Sequence, residues 1–318
     1  MLTLFTDPRM IAHAPPRSHP EKPERLEAVL RHLARIGIAQ TCPPGPVREA
    51  TDEEILRVHT SAHLQHLVEF LGGGGGQIEA DTWISPGSLL AARLAAGAGI
   101  EAVTSVLASP GRRAACLVRP PGHHALPDGP MGFCLLATVA IAAAHAFEVH
   151  GLERVLVVDF DVHHGNGTQA IFESDPRLGF LSIHRHPFYP GTGQASETGT
   201  GKGLGTKRNI PVRYGTSRAD YRDAFRDGLE RMADRIRPEL VLISAGFDAH
   251  AEDPVGDLGL EVEDFVDLTT QILEVAETHA GGRVVSVMEG GYNPSILAGC
   301  VAAHLEALGA EPLPPGSR

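Results

Sequence analysis

The chain has 318 residues, 42% of them apolar and 21% charged, with a formal net charge of −12; this suits one or two globular domains and argues against a basic footprint for nucleic-acid phosphate. The four cysteines, Cys42, Cys116, Cys134 and Cys300, are scattered and form no CxxC pair, which excludes a disulfide framework and a cysteine-built metal site and suits a reducing compartment. No basic-then-apolar leader opens the sequence and no run approaches ~18 uninterrupted apolar residues, so we expect a cytoplasmic protein with no membrane span.

After a strand-like LTLFTD comes the proline-rich HAPPRSHPEKPERL, and PERLEAVLRHLARIGI reads as a helix entered at a proline, where the missing N–H costs nothing. Thr51 and Glu54 make a capping box, SAHLQHLVEFL reads as a further helix, and the glycines at 72–76 form a loop. From residue 85 the pattern becomes regular. SPGSLLAARLAAGAGIEAVTSVL is a helix, AACLVRP a strand, LLATVAIAAAHAFEVH a helix, VLVVDFD a strand, TQAIFES a short helix and LGFLSIH a strand. A glycine-rich loop over 187–206 follows, then helix SRADYRDAFRDGLERMADRIR, strand LVLISAGFD, helix EVEDFVDLTTQILEVAETHA, strand RVVSVMEGG and helix SILAGCVAAHLEAL.

Strands that are apolar throughout and alternate with helices predict an open, mainly parallel sheet covered on both faces, in a single α/β domain over 1–318. Ligands of such sheets bind at the carboxyl ends of the strands. Polar clusters fall there five times: PGHH, DVHHGNG, RHPFYPGTG, FDAHAEDP and GYN each follow an apolar strand.

Asp161 and His163 are two apart and share one face of an extended segment, and Asp248 stands at another strand end. Three protein ligands with an open position is the pattern of a catalytic zinc. The plainer reading of the Asp161–His163 pair is an aspartate capping a helix, and of Asp159 a buried acid satisfied by backbone donors. His123 and His124 follow the stiff Pro120–Pro121–Gly122 segment. Beside a metal-bound water such a pair can take and return a proton; alone, they are as readily loop histidines. Tyr292, between a double glycine and Asn293, can offer a hydroxyl to an oxyanion or simply pack at a turn.

Other chemistries fit less well. GTGTGKGLGTK is not a phosphate-binding P-loop, because Lys202 precedes Gly203 rather than Ser or Thr, and it does not open a helix. There is no GxSxG elbow for a serine nucleophile.

Taken in order, HPEKPERL, ISPGS, RPPGHHA, GFC, VDFDVHHGNGTQ, SIHRHPFYPGTG, SAGFDAHAEDP and EGGYN span nearly the whole chain and resemble the histone deacetylase superfamily, with the HHGNG and GGYN forms closer to its class II branch and bacterial relatives. The resemblance implies a zinc held by Asp161, His163 and Asp248. It implies His123 and His124 as the tandem pair, His124 being the general base and acid, with Asp159 orienting His123 and Asn166 behind His124. Asparagine in place of the class I aspartate implies that His124 is less strongly pulled towards its charged form. Tyr292 would polarise the scissile carbonyl. Phe133 and Tyr189, with Phe188 as a second candidate, would flank a tunnel for the methylenes of an acyl-lysine, with Gly132 permitting close approach. Asp81 would hold the substrate backbone, and Val255 would stand at the rim where polyamine-selective relatives carry a glutamate. A potassium ion near Asp159, Asp161, His163, Ser182 and Ile183 is also implied, chiefly through backbone oxygens.

The expected activity is therefore zinc-dependent removal of acetyl or short acyl groups from lysine side chains of proteins or peptides. The nearest alternative is the same chemistry on acetylpolyamines. An arginase-like binuclear manganese ureohydrolase would need carboxylates where His164–Gly165 and Ala249–His250 stand, and a non-catalytic acyl-binding module has no evident need of both histidines and Tyr292. Relatives occur as monomers, dimers and tetramers, which leaves a homo-oligomer open.

Overall fold

A computed structural model describes residues 2–109 and 111–313. In chain order the elements are β1 (Leu2–Phe5), α1 (Glu24–Ile36), α2 (Ile38–Thr41), α3 (Asp52–Ile55), α4 (Ser61–Gly72), β2 (Gly76–Gln77), β3 (Trp83–Ile84), α5 (Ser88–Leu107), β4 (Arg113–Cys116), α6 (Thr138–Glu148), β5 (Val155–Asp159), α7 (Asn166–Ile171), β6 (Leu178–Arg185), β7 (Lys207–Val212), α8 (Arg218–Ile236), β8 (Leu240–Ala245), α9 (Val262–His279), β9 (Val284–Met288) and α10 (Pro294–Ala307).

Seven strands form one sheet in the order β1-β4-β9-β8-β5-β6-β7, every neighbouring pair parallel. Helices α5 and α6 pack on each other and on the sheet, while α8, α9, α10 and α1 follow one another as a second group of neighbours. Both faces are thus dry. This is why β5, β8 and β9 are buried at every position and read as unbroken apolar runs rather than as alternation.

Local signals act where the sequence places them. Thr51 and Glu54 close the capping box at α3, each accepting the other's backbone N–H. Gly37, at φ 89°, ends α1 in the left-handed conformation that glycine adopts without steric penalty. Three features depart from the sequence expectation. The short antiparallel pair β2–β3 grows out of what reads as glycine loop. The strand expected over AACLVRP leaves the sheet after Cys116. Strand β7, sequence KRNIPV, follows the loop unannounced; it lies at the sheet's edge, where charged residues and proline are tolerated and the apolar signature is lost.

Helix α5 is long and apolar enough, by length and composition, to cross a membrane, which a count of uninterrupted apolar residues does not register. It is an interior helix here, buried at 13 of its 20 positions.

Candidate active site

The central strands β4, β9, β8, β5 and β6 release their chains at one edge of the sheet. There the predicted residues meet. Asp161 and His163 follow β5, Asp248 follows β8, the two histidines follow β4, Tyr292 follows β9, and Phe188 and Tyr189 follow β6. Asp159 is the last residue of β5 and pairs in register with Ser182 of β6.

Among the described residues Asp161, His163 and Asp248 form a buried group whose ligand atoms all lie within 4.8 Å of one another. His163 Nδ1 is 3.0 Å from Asp161 Oδ1 and 3.1 Å from Asp248 Oδ2, spacings close to the ~3.3 Å edge of a tetrahedron with ~2.0 Å bonds. Asp248 Oδ2 is buried with no aligned hydrogen-bond donor. A ring nitrogen facing two carboxylate oxygens requires positive charge between them, supplied by a proton or by a cation. Burial opposes a proton on His163, but its contacts with Asp161 and Asp248 prevail and hold its pKa up at about 9. Burial together with the Asp161 charge pushes Asp248 up. Two carboxylates and one imidazole fit a divalent metal such as zinc, and among the described residues the only backbone donor on the facing oxygens is the His163 N–H, 2.9 Å from Asp161 Oδ1. The remaining carboxylate oxygens are held by the backbone: Asp161 Oδ2 accepts from the Gly290 N–H at 2.9 Å and Asp248 Oδ1 from the Val162 N–H at 2.9 Å. A Cβ on residue 290 would overlap both carboxylates, so glycine is required beneath the cluster.

The two histidines stand side by side, ring centres 3.9 Å apart, with unlike partners. His123 donates from Nδ1 to Asp159 Oδ2 at 3.0 Å. Burial works against its charge, but Asp161 and Asp159 outweigh this and hold its pKa near about 10. His124 donates from Nδ1 to Asn166 Oδ1 at 2.7 Å, leaving Nε2 as a free base. Burial and the neighbouring His123 and His163 press its pKa well below the usual value. The Asn166 contact itself works in the opposite direction, favouring the charged form, and is outweighed.

Tyr292 is buried, and its hydroxyl has no hydrogen bond among the described residues. Burial and the nearby Asp248 hold the phenol well above its ordinary pKa, so it stays a donor. A cavity of about 220 Å³ is lined by Asp81, His124, Gly132, Phe133, His163, Phe188, Tyr189, Val255 and Tyr292. Every substrate-contact residue anticipated from the sequence therefore faces one space. Within it, Phe188 stacks on His163 at 5.2 Å and 15°, while Tyr189 meets His124 edge-on at 5.3 Å. Phe133 has φ 68° directly after Gly132 at φ 55°, two left-handed residues in a tight turn closed by mutual bonds between Met131 and Cys134. A bulky residue there carries strain of order 1–3 kcal/mol, and the Phe133 N–H to Thr82 Oγ1 bond at 3.0 Å helps to hold it. Ser182 Oγ lies 2.9 Å from His184 Nδ1, and Ile183 is the next residue of β6.

Sequence reasoning missed the supports beneath this surface. Glu21 is fully buried and bridges Arg25 at 3.1 Å, Arg119 at 2.7 Å and His13 at 3.2 Å. Arg25 reaches on to the carbonyls of Gly291 and Glu289. Glu289 Oε2 accepts from the N–H groups of Gly122 and His123 at 2.6 and 3.2 Å. Asp253 Oδ2 accepts from the Tyr292 N–H at 2.6 Å, and its Oδ1 from those of Val255 and Gly256. The only signal was that Glu21, Arg25, Arg119, Asp253 and Glu289 all lie within quoted motifs.

Residues 19–308 match the sequence profile of the histone deacetylase domain. The chain is 39% identical to the histone deacetylase-like amidohydrolase of Pseudomonas aeruginosa over 291 residues, covering 91% of this chain and 77% of that one. It is 42% identical to the human polyamine deacetylase HDAC10 over 313 residues, covering 94% and 46%. The crystal structure of the HDA15 HD domain superposes with a TM-score of 0.90 at 36% identity, covering 98% of this chain and 90% of that one. The chain belongs to the histone deacetylase family.

Proposed function

We propose that residues 1–318 form one catalytic domain, a zinc-dependent amidohydrolase that removes acetyl or other short acyl groups from N-ε-acyl-lysine. The observation carrying this reading is that an Asp–His–Asp cluster, a neutral histidine and a free phenol converge on one cavity walled by Phe133, Phe188 and Tyr189. Asp161, His163 and Asp248 would hold the zinc, which when bound supplies Lewis acidity and an acidified water. The chain's own residues do the rest. The aromatic walls grip the lysine methylenes and exclude bulk water. His124, with Nδ1–H tied to Asn166, accepts the water's proton at Nε2 and returns it to the leaving amine. The Tyr292 hydroxyl donates to the carbonyl oxygen as negative charge grows there. His123, held charged by Asp161 and Asp159, adds positive potential beside His124. The potassium implied by the family pattern at Asp159, Asp161, His163, Ser182 and Ile183 belongs to the same reading, in a structural role.

A second reading, deacetylation of acetylpolyamines, is favoured by the acidic Asp81 at the cavity and by the relative named for that substrate. Val255 argues against it, since that position offers a polyamine's secondary ammonium no carboxylate at the rim. The arginase-like reading is disfavoured: His164 is turned to Thr192 and Gln169 and His250 towards Glu261, not into a second metal cluster.

The test is a panel of acyl-lysine peptides and acetylated putrescine and spermidine, assayed with and without chelator. Acetyl-lysine turnover that chelation abolishes and zinc restores is expected. A clear kcat/KM advantage for either polyamine overturns the lysine assignment, and chelator-insensitive activity overturns the metal. Val255→Glu should move the preference towards the polyamines.

A further inference from the structure

Arg185, the last residue of β6, stands outside the tunnel wall. Its guanidinium carbon lies 4.2 Å from the Phe188 ring centre and 4.7 Å from that of Tyr214. Two rings therefore fix the plane of one cation, which lowers the entropy lost when it binds a further group. Its Nη1 donates to the Gly256 carbonyl at 3.0 Å, next to the rim residue Val255. Nε and Nη2 have no hydrogen-bond partner among the described residues, and no described carboxylate lies within the 4.0 Å of an ion pair. Asp257, whose carbonyl is 3.5 Å from Nη1, turns its carboxylate to the Tyr214 hydroxyl at 3.3 Å and the Gly259 N–H at 3.2 Å. The result is a half-buried, oriented and uncommitted guanidinium edge beside the tunnel mouth. Tyr214 is 63% exposed, so the platform is open to solvent.

One acidic residue lines the cavity itself. Asp81 lines the cavity together with Phe133, and its carboxylate is joined by the Thr82 hydroxyl at 3.0 Å. A peptide whose acyl-lysine enters this tunnel thus meets an acid and an arginine at one opening. Adjacent Cα atoms are about 3.8 Å apart, so the residue next to the lysine stays at the tunnel mouth, where Gly256, the acceptor of Arg185 Nη1, follows the lining residue Val255.

We propose that Arg185, braced by Tyr214, forms a subsite for a carboxylate on the residue flanking the acyl-lysine. The proposal rests on the acyl-lysine reading and names the peptide class that the site prefers. Two N–H groups of a planar guanidinium match a carboxylate in a forked pair. The charge also opposes the chain's overall −12, so attraction of an acidic peptide would be local rather than a property of the whole surface.

The experiment compares kcat/KM for acetyl-lysine peptides that differ only in carrying aspartate, asparagine or lysine at the positions flanking the acetyl-lysine. It is run at low and high salt on the wild type, Arg185→Met and Arg185→Lys. The wild type should prefer aspartate over asparagine by about two- to fivefold at low salt, the range of a half-exposed ion pair, and the preference should shrink in high salt. Arg185→Met, which keeps bulk against Phe188, should abolish the ratio; Arg185→Lys should keep only part of it, lacking the planar fork. Reading the ratio within each variant separates subsite loss from any general damage to the tunnel wall. Equal turnover of the aspartate and asparagine peptides by the wild type, or an unchanged ratio in Arg185→Met, overturns the subsite and leaves the deacetylase reading intact. No turnover of any peptide overturns that reading and the subsite with it.

Discussion

The guanidinium of Arg25 lies 4.8 Å from the centre of the Tyr292 ring, and its Nε donates to the carbonyl of Gly291 at 2.6 Å. One arginine from the first helix thus supports both the ring and the peptide that carries the proposed oxyanion donor. Tyr292→Phe preserves that packing and removes only the hydroxyl. On the proposed mechanism, kcat should fall ~10²–10³-fold with KM little changed. A variant within about threefold of wild type, well inside that range, would remove Tyr292 from the mechanism.

Asp248→Ala and Asp161→Ala should each lower bound zinc, measured by elemental analysis of purified protein, and abolish turnover. The loss at Asp248 has a structural corollary, because the Val162 N–H would lose its acceptor. Full activity in zinc-free Asp248→Ala would exclude the cluster. Two manganese ions per chain in the wild type would instead revive the ureohydrolase reading.

Asn166→Asp places a carboxylate against Nδ1 of His124. Burial and the charges of its histidine neighbours now press this imidazole towards its neutral form, so its protonation should not limit activity at neutral pH. An opposing charge in contact raises a pKa by ~1–3 units, and a base works only when deprotonated. The acid limb of the kcat/KM profile should therefore move to higher pH. An acid limb at the same pH would show that His124 is not the group titrating.

Glu21→Ala should destabilise the fold by about 3–5 kcal/mol, since it strands Arg25 and Arg119 as buried unpaired charges. Urea unfolding measures this. Arg119 and the other partners of Glu21 hold its pKa well below 4.5 although burial opposes them. A depressed carboxylate contributes stability that is complete above its unfolded pKa and is lost as pH falls through the folded one. The wild type should thus lose this contribution progressively below about pH 4.5, the unfolded carboxylate's range, and Glu21→Ala should lack that component of the acid response.

The parts of the site legible in the sequence were those written at strand ends. Asp161, His163 and Asp248 follow apolar runs whose burial is easy to read, and the parallel order of the sheet brings those ends together. The supports were not legible, because Glu21, Arg25 and Asp253 look locally like charges on a helix entrance or a loop. Their burial depends on partners 98 and 266 residues away, as for the Glu21–Arg119 and Arg25–Gly291 pairs. Strand β7 was missed because an edge position lets KRNIPV do without an apolar signature. Tyr189 is placed ahead of Phe188 by the family pattern alone, because the chain leaves β6 at Arg185 and strand alternation no longer says which ring faces the cavity; both line it, with Phe188 stacked on His163.

The pairing of β5 with β8 has a consequence for the order in which a growing chain acquires its parts. Asp161 and His163 leave the ribosome with β5, but Asp248 follows 85 residues after His163, and Gly290, which underlies both carboxylates, later still. Until β8 docks, the nascent chain holds only an Asp–Val–His fragment, with too few ligands to retain a metal. Metal capture should therefore be a late event that follows the docking of β8, and truncation before β8 should yield chains that retain no zinc.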